Sequence, residues 1–285
     1  MRRRINHTLR GDATSLSRVT LNRNRFFVGL WLVGFINGSL VYLVTGLREN
    51  SALYNVLNTF EISAIVWVSI AVGCAYLFKQ SESKNSRRDV GLAIAISFAF
   101  LIPITALSWV AVSVLSAYLI VTSPGDSYAK RGAWILFTVT VPMFWSRVIF
   151  SVLSEHILQF DAILVSNLLD TERAGNAVAF ADGSGYLWIA PGCSSLMNVS
   201  LAVLCGTVFS QMWPRKRPLQ SISLVAFAAA AVVMINAVRL ALIGTYPQYF
   251  ETLHGSVGAT VTDLLTLIAL VSICSFGVRN ELKAK

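Results

Sequence analysis

Apolar residues fall into long uninterrupted runs at positions 26–46, 60–78, 90–121, 132–153, 193–213, 219–244 and 256–278. About 20 apolar residues in a helix cross the ~30 Å hydrocarbon core of a bilayer, so all but the third run read as single spans. The third has twelve residues too many, and Pro103 lies inside it with Ser108 close behind. That pattern suits either one tilted helix or two short helices around a tight turn.

Charge selects between them. Lys and Arg collect in the breaks: before Phe26, at Lys79, Lys84, Arg87 and Arg88, at Lys130 and Arg131, at Arg215, Lys216 and Arg217, and after Val278. If 90–121 crosses twice, all 23 basic residues except Arg48, Arg147, Arg173 and Arg239 lie on one side. A single crossing scatters them over both faces. The positive-inside rule therefore predicts an all-α membrane protein with eight transmembrane helices and both termini cytoplasmic. The division is a basic tail at 1–25, a membrane domain at 26–278 and a second basic tail at 279–285.

Three segments then face outward: 48–59, 154–192 and 245–255. The middle one opens with Ile157, Leu158, Phe160, Ile163, Leu164, Leu168 and Leu169 at near-helical spacing. This predicts a small extracytoplasmic amphipathic helix over 154–169, lying on the membrane surface. Next, 176–180 and 186–190 flank Ala181-Asp182-Gly183-Ser184-Gly185, the pattern of a β-hairpin that delivers Cys193 to the sixth span.

Composition agrees: 55% of residues are hydrophobic and 13% are charged, against about 25% charged in soluble domains. The net charge of +9 is spread over loops between spans, which argues against nucleic-acid binding. The basic N-terminal tail reads as a topology determinant against anionic lipid. The first run has no small-residue cleavage site, so it reads as a retained span. Among the four cysteines no CxxC or zinc spacing occurs, and no metal or organic cofactor is expected.

Three polar residues share one predicted depth. Cys193 opens the sixth span, Arg239 sits about five residues before the outer end of the seventh, and His254 just precedes the eighth. A thiol needs a neighbouring base or cation to become a good nucleophile. His254 suits proton transfer, and Arg239 offers donors to an oxyanion or to substrate backbone. Asn236, three residues earlier on the same helix face, is placed to orient Arg239 or to bind substrate. Glu251 and Asp263 are both candidates to orient His254, and the sequence selects neither. Each residue also has an ordinary reading: buried Cys193 packing, structural hydrogen bonding by His254, and snorkelling of Arg239 to the interface. His7 and His156 read as solvated.

The stretches Gly175-Asn176-Ala177-Val178, Ala190-Pro191-Gly192-Cys193-Ser194-Ser195-Leu196, Asn236-Ala237-Val238-Arg239 and His254-Gly255 resemble the exosortase/archaeosortase family of membrane cysteine transpeptidases. The resemblance covers about half the chain, 142–272. It departs from the usual motif in having Ser195 where glycine commonly follows Cys-Ser, and Pro191-Gly192 before the cysteine. It implies that Cys193 is the nucleophile, His254 the acid/base and Arg239 the third catalytic residue, with Asn236 and Ser194 supporting them or binding substrate. It further implies an enzyme of the cytoplasmic (inner) membrane with an extracytoplasmic site. Its partners would be membrane lipid and secreted proteins bearing a C-terminal sorting signal, a hydrophobic helix and a basic tail. Such a protein is cleaved through a thioester and passed to an envelope acceptor of unknown identity. The alternatives are a non-enzymatic transporter or assembly component for envelope polysaccharide, with Arg239 binding an anion, and a hydrolytic intramembrane protease using the same cysteine.

Overall fold

In the computed structural model, residues 22–49, 51, 53, 55, 59–79, 85–214 and 218–279 are described. Most of the two basic tails and the basic cluster at 215–217 lie outside them. The helices are α1 (Arg23–Glu49), α2 (Ala64–Lys79), α3 (Arg87–Leu101), α4 (Thr105–Thr122), α5 (Tyr128–Leu169), α6 (Leu196–Met212), α7 (Pro218–Thr245), α8 (Phe250–His254) and α9 (Ser256–Gly277). Six of them, α1, α4, α5, α6, α7 and α9, are long and apolar enough to cross a membrane.

The 90–121 run is broken as the proline demands. Helix α3 stops at Leu101, Ile102 takes the extended conformation favoured before a proline, and α4 restarts at Thr105. At the far ends of this pair the Arg23 Nε donates to Asp89 Oδ1 at 2.9 Å and Arg23 Nη2 to Thr122 Oγ1 at 2.6 Å. The Tyr118 hydroxyl donates to the same Asp89 oxygen at 2.8 Å. The starts of α1 and α3 and the end of α4 therefore meet at one end of the bundle. Lys79, closing α2, lies over the Tyr128 ring that opens α5, and the Tyr76 and Tyr128 rings meet edge to face.

Helix α5 corrects one expectation. No separate surface helix occupies 154–169; the chain runs as one helix from Tyr128 to Leu169. Pro142, which cannot donate to the helical ladder, is absorbed in a π-turn at Val141–Trp145, so nothing interrupts the path afterwards. Forty-two residues give a rod of about 63 Å at 1.5 Å per residue, twice the hydrocarbon thickness. The apolar face of its second half packs against α7 and the sheet rather than standing free. Asp170, in the left-handed conformation, ends it.

The sheet follows at once. Strands β1 (Arg173–Ala174), β2 (Ala177–Ala179) and β3 (Tyr186–Trp188) are antiparallel in the order 1-2-3. Val178 faces Leu187 across the expected hairpin, whose turn needs the positive φ of Gly183. The strands are shorter than the sequence pattern, and β1 is an addition to it.

Two cores result. The larger runs through the bundle, with Trp31, Trp109, Leu115, Leu136 and Leu204 fully buried. Within it α2 and α5 approach so closely that a Cβ on Gly132 would stand 2.6 Å from the Gly73 carbonyl. The smaller core joins Leu158, Ala162 and Val165 of α5, Val178 and Leu187 of the sheet, Ile189, Cys193, and Ala237, Leu240 and Ile243 of α7. The sheet is the lid of this second core, and Cys193 lies within it.

Candidate active site

The chain enters α6 through a tight loop. Ala190 is extended, Pro191–Cys193 forms one 3-10 turn, and the helix begins at Leu196. The amides of Cys193 and Ser194 donate to the carbonyls of Ala190 (2.9 Å) and Pro191 (3.2 Å). The Leu196 amide donates to Ser194 Oγ at 3.2 Å, so the Ser194 hydroxyl helps to start the helix. Ser195 donates twice to Asp161 of α5: its amide to Oδ2 at 3.0 Å and its hydroxyl to Oδ1 at 2.6 Å. All four amides from 193 to 196 are thus engaged.

Cys193 and His254, sixty-one residues apart in sequence, meet: the thiol sulfur lies 3.7 Å from His254 Nε2. The cysteine is 8% exposed, whereas His254 is open to the surroundings. The imidazole is steadied by the Phe250 ring of the same short helix, stacked at a centroid distance of 4.8 Å and 10° between planes. Where α8 turns into α9, Gly255 sits against the Glu251 carbonyl with no room for a Cβ.

Arg239 belongs to the same cluster through the backbone. Its Nε donates to the Leu253 carbonyl and its Nη2 to the His254 carbonyl, both at 3.2 Å. Two of the five guanidinium N–H donors therefore hold the segment that carries the histidine. Asp263 lies within electrostatic range of Arg239, and among the described residues neither it nor Glu251 forms a hydrogen bond with His254.

Asn236 does something the sequence did not suggest. Buried at 3% exposure, it donates through Nδ2 to the Cys193 carbonyl at 2.8 Å. It therefore holds the cysteine loop, and neither orients Arg239 nor stands open to a substrate. Asn176 has a similar task one layer out, closing the sheet onto Ile189, whose carbonyl accepts from Asn176 Nδ2 at 3.0 Å.

Sequence reasoning missed Asp161. Its signal was its spacing: a lone acidic residue four after Ile157, three after Leu158 and three before Leu164 falls on the apolar face of the helix, where a carboxylate needs a buried partner. His156 is exposed on α5 away from the cluster, and His7 lies outside the described residues. Cys74, Cys205 and Cys274 are buried in α2, α6 and α9. Among the described residues no group of three or more His, Cys, Asp or Glu is placed to hold a metal ion.

A crevice opens sideways beside the cluster, between α7 and α9. It is lined by Met234, Val238, Arg239, Leu253, Val261 and Leu265 among others, and is almost wholly apolar apart from the arginine.

No protein-family model, no curated protein and no solved structure matches this chain.

Proposed function

We propose that the chain is a cysteine protease or transpeptidase of the cytoplasmic membrane, acting on secreted proteins at its outer face. The observation that carries the reading is the 3.7 Å approach of the Cys193 thiol to His254 Nε2, at a distance from which a proton passes to a base after modest tightening. Arg239, bonded to the histidine's own backbone, completes the trio that the family resemblance assigns to catalysis.

The steps follow from these groups. His254 takes the Cys193 proton, and the thiolate attacks the carbonyl carbon of the scissile peptide, forming a C–S bond. Negative charge moves to the carbonyl oxygen. Because the amides of 193–196 are engaged, the donors for that oxyanion are side chains, and Arg239 has N–H groups beyond the two spent on carbonyls. The intermediate collapses, the C–N bond breaks, and His254 returns its proton to the leaving amine. A thioester remains on Cys193. An acceptor nucleophile of the envelope, giving up its proton to His254, attacks the thioester and restores the thiol.

The proposed topology has eight spans, with α2 and α3 adding two short crossings to the six long apolar helices. Both termini and the basic clusters are cytoplasmic, and the sheet and the Cys193 loop are outside. The meeting of Arg23, Asp89 and Thr122 supports it, because it returns α3 and α4 to the same side. The apolar crevice beside Arg239 supports lateral approach of a substrate from lipid.

The test compares membrane and secreted proteins from cells carrying wild type, Cys193→Ala or His254→Ala. Both variants should accumulate precursors that keep a C-terminal hydrophobic helix and basic tail. Identical profiles in all three strains would remove the reading.

A further inference from the structure

We infer that Asp161 is the positioning residue of the cysteine loop, an inference that rests on reading Cys193 and His254 as a reacting pair. Asp161 is 2% exposed, and a buried carboxylate is ordinarily paired with a cation. Among the described residues no cation lies in ion-pair range of it. Both oxygens are instead spent on one residue, Ser195, two positions after the cysteine. The carboxylate also lies against the first turn of α6, where the helix dipole favours negative charge.

The burial is more than a cap requires, since a local Ser or Asn side chain satisfies a helix start without crossing between elements. The bonds from Ser195 to Asp161 join the start of α6 to a different helix, α5, from the one that carries Asn236. Asn236 holds the Cys193 carbonyl from α7, and Asp161 holds the Ser195 amide and hydroxyl from α5. These bonds hold the loop at and just after Cys193, whose thiol lies 3.7 Å from His254 Nε2. The long α5 rod thereby gains a purpose, because its second half carries the carboxylate out to the level of the loop. A displacement of 1 Å at a reacting centre costs on the order of 100-fold in rate, so a clamp of this kind belongs to the chemistry without touching substrate.

The experiment follows alkylation of Cys193 by iodoacetamide in the purified full-length protein, with the site read by peptide mass. Wild type, Asp161→Ala, Asp161→Asn and Ser195→Ala are each measured with His254 intact and with His254→Ala. In the wild-type background His254→Ala should slow alkylation about tenfold, the base having been removed. Asp161→Ala should be slowed to the same extent and become indifferent to His254→Ala. Asp161→Asn should keep rates within about threefold and keep the histidine dependence, because an amide can accept from the Ser195 N–H and donate to its hydroxyl. If Asp161→Ala does not fold, the comparison passes to Ser195→Ala, which should lose histidine dependence that Asp161→Asn keeps; the opposite order contradicts the inference. Full histidine dependence in a folded Asp161→Ala protein, whatever its melting temperature, reduces Asp161 to a structural residue and overturns the inference alone. Alkylation that ignores His254→Ala in wild type overturns the reacting pair, and the inference with it.

Discussion

Asn236 donates a hydrogen bond of 2.8 Å to the backbone carbonyl of Cys193, tying the middle of α7 to the loop that opens α6. Replacing it by alanine leaves a buried carbonyl without its donor, at a cost of about 1–3 kcal/mol. Asn236→Asp is worse, because a carboxylate oxygen then faces the carbonyl. We expect Asn236→Ala to lower the melting temperature moderately and processing of precursors by about 10- to 100-fold. Quantitative mass spectrometry of precursor and product checks this.

Arg239 holds the Leu253 and His254 carbonyls. Arg239→Ala should release the short helix Phe250–His254, and Arg239→Lys should only partly restore it, since an ammonium lacks the planar fork that reaches two carbonyls at once. Hydrogen exchange across 250–255 should rise in the order wild type, lysine, alanine. Unchanged exchange with lost activity would confine Arg239 to the substrate side of the site.

The Phe250 ring stacks on the His254 imidazole at 4.8 Å. Phe250→Ala removes that surface and frees the imidazole to rotate, while Phe250→Tyr keeps it. The expected loss of processing is roughly 3- to 10-fold for alanine, corresponding to an aromatic contact of about 0.5–1.5 kcal/mol, and close to none for tyrosine.

Asp89 lies in the first turn of α3, ahead of the apolar run that begins at Val90. Burial raises the tendency of its carboxyl to hold a proton, but hydrogen bonds from Ser86, Arg23 and Tyr118 outweigh burial and hold it below the ordinary carboxylate value. The folded state thus binds this proton less readily than the unfolded state. The stabilisation is complete above the unfolded value of about 3.9 and disappears as pH falls through the lower, folded one. Asp89→Asn should melt below wild type at pH 7, and the difference should shrink as the pH falls through the lowered value of the folded carboxyl.

Orientation can be read by labelling from one side of the membrane. In a protein lacking its native cysteines, Ser184→Cys in the hairpin should react with an impermeant maleimide in intact cells, and Asp126→Cys, between α4 and α5, only after permeabilisation. The reverse pattern would contradict the eight-span arrangement.

The elements legible in the sequence were those set by local rules. Run length and Pro103 marked the apolar helices and the break between α3 and α4. Gly183 marked the hairpin turn, and the common depth of Cys193, Arg239 and His254 brought the cluster together in advance. What was hidden depended on partners distant in the chain. The expected end of the helix near Leu153 was set by the length of one span. Helix α5 instead continues to Leu169 because its second half packs against α7 and the sheet, both distant in the chain. Asp161 falls on the apolar face by its spacing from Ile157, Leu158 and Leu164, but its partner Ser195 lies 34 residues away and carries no local signal. Asn236 could be placed on the right helix face, but its target, a carbonyl 43 residues away, carries no side-chain signal.

The most direct measurement of the central claim is covalent trapping. Wild type and Cys193→Ala are isolated from cells under mild acid and compared by intact mass for an adduct released by hydroxylamine. The account predicts a hydroxylamine-sensitive adduct on Cys193 of wild type, absent from the alanine variant, whose mass identifies the processed protein. Normal processing of precursors by Cys193→Ala would contradict it.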